Sequence, residues 1–226
     1  NDKKFVFLTN SPERTPHELS MKLERMGLSV SPDHFYTSAM ATAEFLSSQA
    51  PGCTAYVIGE ASLSKAMYDQ GIYMNDVNPD YVVVGETRSY NFEKLEKAVE
   101  LVNKGAKLIG ANSDLTGPIE HGIAPACRAL VAPIEMATGT QAYFCGKPNP
   151  LMMRTGLKLL GGDVIESIGI CDLSEQITAR WEFEMGQISL PWVYDSMPEV
   201  HVVTPDNLFD CDMFVFVASK GIPPVG

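Results

Sequence analysis

Two short stretches hold residue types whose spacing could bind an anion. Tyr143–Pro150 (YFCGKPNP) reads as a strand climbing to Cys145 and broken by Gly146, with Pro148 and Pro150 fixing the backbone around Lys147 and Asn149. Glycine permits a sharp turn and each proline locks φ, so Lys147 is expected on display at a strand's carboxyl end. Leu and Met at helical spacing predict a helix over Leu151–Leu160 directly after it. Strand, lysine turn, helix is a common way for an α/β protein to present a cation to an anionic ligand. The competing reading is one more solvated loop lysine. The second stretch is Leu8-Thr9-Asn10-Ser11, a hydroxyl and an amide where the first apolar run ends. Ligands of α/β sheets bind at that edge, and such groups can donate hydrogen bonds to a transferring phosphoryl while a lysine offsets its charge. The alternative for Thr9 is an ordinary cap or turn residue.

The elements that must position these groups alternate. Lys4–Thr9 is a β-rich run closed by Asn10-Ser11-Pro12. Thr15-Pro16-His17-Glu18 has the chemistry of a helix start, with Thr15 as N-cap, Pro16 at the first position and Glu18 at the capping-box place. Leu19, Leu23 and Met26 recur at helical spacing before Gly27. A helix over Thr37–Leu46 is followed by strands at Tyr56–Ile58, Tyr81–Val84 and Lys107–Gly110. Helices at Ala61–Asp69 and Asn91–Val102 lie between them, the second with Leu95, Ala98, Val99 and Val102 inward. Ala111–Pro125 reads as a long Gly/Pro-rich loop, and Ala126–Thr138 as a helix. This alternation predicts a parallel sheet with helices on its faces. After Gly161-Gly162 the texture changes: strands at Glu166–Cys171, Val200–Val203 and Asp212–Ala218, and a helix-like stretch at Ser174–Gln187.

Bulk properties narrow the classes. With 17 basic and 28 acidic residues among 226, the formal charge is −11 and the pI about 4.8. That disfavours a nucleic-acid backbone or an anionic membrane surface as partner. The 45% hydrophobic content is that of a soluble globular protein. Cys53, Cys127, Cys145, Cys171 and Cys211 are odd in number and lack ligand spacing. They are expected as buried free thiols in a reducing cytoplasm, with no zinc site. No apolar run approaches a membrane span, and NDKK is not a signal peptide. A first strand so near residue 1 and an uncovered last strand predict missing ends.

KFVFLTNSPERTP, FYTSAMATAEFL, AYVIGE, NPDYVVVGE, LIGANSD and GKPNPLMMR occur in that order. In combination they resemble the haloacid dehalogenase (HAD) superfamily of phosphatases, in its NagD-like, 4-nitrophenyl phosphatase branch, over residues 4–160. The resemblance implies an α/β fold: a partial Rossmann-like core (1–40 and 140–162) with an inserted α/β cap (41–139), then a Rossmann-like βαβ tail (163–226). It implies Mg²⁺, a small phosphorylated metabolite such as a sugar or nucleotide phosphate, and a possible homodimer through the cap. Thr9 and Lys147 would contact the phosphoryl group, and Asn10, which stands with Thr9 in the second core motif, would bind phosphate with them. Asn112, Asp114 and His121, in the loop 112–125, would face the leaving group. For Asp114 an Asx turn in a solvated loop is equally open.

Two departures stand out. The family's nucleophilic Asp lies in a DxD strand, and here only Asn1, Asp2 and Lys3 precede KFVFLT. Its Mg²⁺-holding Gly-Asp should follow a strand, whereas Gly162-Asp163 precedes one. The last 64 positions, 163–226, instead resemble part of a lactate/malate dehydrogenase coenzyme domain. That resemblance would place the ribose-binding acid at Asp172. With no GxGxxG loop, NAD is not expected as a cofactor, and Asp172 reads equally as a strand end without a ligand. The expectation is therefore a HAD phosphatase. Its rivals are a catalytically inactive cap-bearing binding module and a weak NAD-binding protein.

Overall fold

The computed structural model describes residues 4–119, 121–160, 167–170, 199–204 and 213–218. The chain divides into two compact units, one of residues 6–156 and 215–226, the other of residues 1–5 and 157–214.

In the larger unit the alternation read from the sequence is present. Strand β1 (Lys4–Thr9) pairs in parallel with β2 (Phe35–Thr37), Thr9 opposite Thr37. Between them, helix α1 (Pro16–Arg25) starts on the capping box: Thr15 accepts from the Glu18 N–H and Glu18 accepts from the Thr15 N–H. Helix α2 (Ser38–Gln49) begins one residue later than expected, because Thr37 ends β2 and caps the helix through the Met40 N–H. Then follow β3 (Thr54–Ile58), α3 (Ala61–Asp69), β4 (Tyr73–Met74), β5 (Tyr81–Val84), α4 (Phe92–Asn103) and β6 (Lys107–Gly110). Beyond them are β7 (Thr116–Ile119), β8 (Gly122–Pro125), α5 (Cys127–Thr138), β9 (Tyr143–Phe144) and α6 (Pro150–Leu159).

Five of these strands form a parallel sheet in the order β4-β3-β5-β6-β9. β5 (YVVV) is buried at all four positions because both faces are covered, which a continuous apolar run signals. One face packs on α2 and α3 through Ala43, Leu46, Leu63 and Met67. The other packs on α4 and α5 through Ala98, Leu101, Val131 and Ile134. Every strand of this sheet runs the same way, so its carboxyl ends collect at one edge, where Glu86, Asn112 and Lys147 follow β5, β6 and β9.

Several expectations need correction. Residues 111–125 are not all loop, since β7 and β8 form an antiparallel hairpin from Thr116↔Pro125 to Ile119↔Gly122. A two-stranded ribbon is all edge, so Pro118 and Pro125 cost it no interior ladder bond. Helix α1 buries no residue: Met26 is 72% exposed, so its apolar spacing marks a weakly covered face. In α4, Ala98 and Val102 are buried as expected, Leu101 joins them, and Leu95 and Val99 are only partly covered. β1 has a strand on each side. The order β12-β1-β2 places β12 (Met213–Ala218) along its other edge, where an apolar strand supplies the missing backbone partners.

Cys53, Cys127 and Cys145 are buried free thiols, and burial pushes the latter two up to about 12. Among the described residues no helix is long and apolar enough to cross a membrane. In the smaller unit, β10 (Ser167–Ile170) and β11 (Glu199–Val202) pair in parallel from Ser167↔Glu199 to Ile170↔Val202. The helix expected at Ser174–Gln187, together with Cys171, Asp172 and Cys211, lies outside the described residues.

Candidate active site

β1 delivers Leu8, Thr9 and Asn10 to the carboxyl edge. Alternation along KFVFLT buries Val6 and Leu8 and leaves Thr9 half-buried. Thr9 Oγ1 accepts the Ser11 N–H at 3.2 Å, which is the turn expected as the alternative for this residue. The two roles are compatible: a hydroxyl that accepts one hydrogen bond still has its proton to donate.

Lys147 reaches the same place from the other end of the sequence. Cys145 continues from β9 with its N–H on the Gly110 carbonyl, and Asn149 N–H closes a turn on the Gly146 carbonyl. The Lys147–Pro148 peptide is cis. Asn149 Oδ1 then receives the Leu151 N–H, which opens α6 with Pro150 at its first position. The turn does not push the lysine into solvent. Lys147 is only 8% exposed, and its Nζ donates to the Leu8 carbonyl at 3.1 Å. Both the displayed lysine and the solvated lysine are therefore corrected: the ammonium lies folded over the end of β1. Burial pulls its pKa down from 10.5 to about 8, and the Asp114 carboxylate works against that fall.

Around the lysine is a buried polar network. Asn10, 5% exposed, accepts the Lys147 N–H on Oδ1 at 2.7 Å. Its Nδ2 donates to the Lys147 carbonyl at 3.0 Å and to Asp114 Oδ2 at 3.1 Å. The Asn10 carbonyl receives Ser38 Oγ at 2.6 Å and Asn112 Nδ2 at 2.7 Å. Asn112 is fully buried, also donates to Glu86 Oε1 at 3.2 Å, and makes the Asx turn that accepts the Asp114 N–H. Asp114 is half-buried, and its carbonyl accepts the Arg128 N–H at the start of α5. The structure thus joins Asn10, Asn112, Asp114 and Lys147 in one network, with Thr9 the chain neighbour of Asn10 at the end of β1. His121 is exposed at the β7–β8 tip and makes no contact described with them.

Among the described residues, no group of three or more His, Cys, Asp or Glu side chains converges as a metal ion requires. Those residues alone do not fit Mg²⁺, which as a hard cation takes oxygen ligands in octahedral array.

A family model described as haloacid dehalogenase-like hydrolase matches residues 1–73. The ribonucleotide monophosphatase NagD of Escherichia coli K12 is 38% identical over 88% of the chain and 85% of its own length. The chain belongs to the HAD-like hydrolases, in their NagD-like phosphatase branch. A dihydroxyacetone phosphatase of Corynebacterium glutamicum is 44% identical over 76% of the chain, which spans 62% of that protein. The solved structure of NagD from E. coli K-12 superposes with a TM-score of 0.69 at 35% identity, covering 88% of the chain and 82% of NagD. An 88% share is more than residues 1–162 can supply, so the HAD likeness runs into the stretch whose letters resembled a dehydrogenase.

Two members of the site escaped the sequence reading, Ser38 and Glu86. Both stand next to a strand's carboxyl end, Glu86 after the wholly buried β5 and Ser38 directly after β2. A polar residue at that position in a parallel sheet is the signal that could have found them.

Proposed function

We propose that this chain carries the phosphoryl-binding groups of a phosphatase that hydrolyses a small phosphorylated metabolite, a sugar or nucleotide phosphate, with Mg²⁺. The observation that carries the reading is the buried Lys147 ammonium folded over the carboxyl end of β1, the strand whose last residue is Thr9. A phosphate monoester brings two negative charges. A desolvated ammonium and a hydroxyl donor in a low-dielectric recess stabilise the charge on the transferring oxygens more strongly than the same groups in water. In this reading residues 1–40 and 140–162 form the core and 41–139 the cap. Asn112 and Asp114 shape the recess from the cap side, and His121 on the hairpin meets the leaving group. The relatives named for dihydroxyacetone and for ribonucleotide monophosphates support the substrate class. Mg²⁺ would supply charge neutralisation at the phosphoryl oxygens.

A second reading, phosphate binding without turnover, is favoured by that same lack of a three-ligand cluster among the described residues. Hydrolysis of 4-nitrophenyl phosphate by the full chain with Mg²⁺ separates the two. We expect turnover that is abolished by Lys147→Ala and by EDTA. A folded protein that binds phosphate and turns over nothing selects the second reading.

A further inference from the structure

We propose that Asn10 is a positioning residue that holds Lys147 to the end of β1 through the lysine's own backbone, and that its side chain does not contact the substrate. The inference rests on the phosphoryl-binding reading of the site.

The geometry is a two-sided grip. One carboxamide accepts from the Lys147 N–H at 2.7 Å and donates to the Lys147 carbonyl at 3.0 Å. A neighbouring β-strand would make the same pair of bonds with its backbone; here one side chain makes both. The second Nδ2 proton goes to Asp114 Oδ2 at 3.1 Å, so both amide protons are committed within the protein. The grip is itself anchored, because the Asn10 carbonyl is held by Ser38 Oγ and Asn112 Nδ2. Four segments therefore meet at one residue: the end of β1, the start of α2, the loop after β6 and the lysine turn.

Gly146 shows how closely the turn is drawn in. A Cβ there would stand 2.7 Å from the Ala111 carbonyl oxygen, 2.7 Å from Asn112 Cβ and 2.9 Å from Asn10 Oδ1. Only a residue without a side chain lets the turn approach. A long, flexible lysine would otherwise have many rotamers. Fixing its peptide plane 2.7 Å from Asn10 while Nζ bonds the Leu8 carbonyl sets both ends of the side chain.

The test is a ³¹P NMR titration of inorganic phosphate, which reads millimolar affinities. It uses the full wild-type chain, Asn10→Ala, Lys147→Met and the double variant, with thermal melts in parallel. Asn10→Ala is expected to weaken phosphate binding at least about tenfold, approaching the loss in Lys147→Met. The double variant is expected to bind no more weakly than Lys147→Met, because Asn10 acts through that lysine. A merely structural contribution would not vanish in the Lys147→Met background.

Wild-type affinity in Asn10→Ala overturns the inference, as does a double variant whose loss multiplies the two single losses. Should Asn10→Ala fail to melt cooperatively, Gly146→Ala decides: it pries the turn away while keeping the asparagine. It is expected to lose binding similarly, and unchanged affinity overturns the inference. A folded wild-type chain that binds no phosphate removes the proposed function and this inference together. That result is distinct from binding that survives only the loss of Asn10.

Discussion

In the proposed function Lys147 supplies the positive charge, and its burial has a cost that can be measured. Its folded pKa, about 8, lies below the ordinary 10.5. Between those values the unfolded chain holds more protons than the folded one, so this group makes stability rise with pH. The penalty of the buried ammonium is carried in full below about pH 8 and is gone above about 10.5. Lys147→Met removes the titration and leaves every other group to cancel in the comparison. Relative to the wild type, Lys147→Met should be more stable at pH 7 than at pH 10.5 by on the order of 3 kcal/mol. Urea melts of both proteins across that range check it, and a stability difference that stays flat with pH would contradict a depressed lysine. The same shift fixes the sign for binding: phosphate affinity should fall as pH rises through about 8, because the ammonium is lost.

At the scale of elements, local chemistry placed more of the structure than long-range contacts did. Helix α1 illustrates this, since it buries no residue and so leans on its ends. Thr15→Ala deletes the side-chain half of the capping box, leaving the Glu18 N–H without its hydroxyl acceptor, and should cost about 1 kcal/mol, read as a lower urea midpoint with an unchanged slope. The helix starts at Thr15 and Asn91, the strands at Tyr81–Val84 and Lys107–Gly110, and the turn at Gly146 were all legible in the sequence. Each is signalled by neighbouring residues alone. The hairpin at 116–125 was not legible, because glycine and proline read as loop whether or not a partner strand lies opposite. The site was legible in part. Thr9 and Lys147 stood out by residue type and strand-end position, while their 137-residue separation from Asn10 to Lys147 hid the grip between them. Glu86 and Ser38 were missed for the same reason: their partners are Asn112 and Asn10, distant in sequence.

For the whole molecule, the decisive question about β1 is what covers its edges, since it carries Thr9 and Asn10 to the site. β2 lies on one side, and on the other is β12, a strand more than two hundred positions away in sequence. Val6–Thr9 and Val215–Ala218 fall within the same compact unit, so this pairing is integral to the unit that holds Lys147. A strand with one side bare presents a row of unsatisfied N–H and C=O groups, which either take up water or recruit another chain. Deleting residues 213–226 should therefore expose β1 along its length. The expected outcome is a lower melting temperature and concentration-dependent growth of light scattering, together with weaker phosphate binding, because the edge that positions Thr9 and Asn10 loosens. A shortened chain that stays monodisperse, melts where the full chain does and binds phosphate equally would show that β12 gives β1 no support. The contrast with Lys147→Met is informative, since that change should weaken phosphate binding without promoting association. Removing the cation and removing the strand that frames it thus have separable signatures.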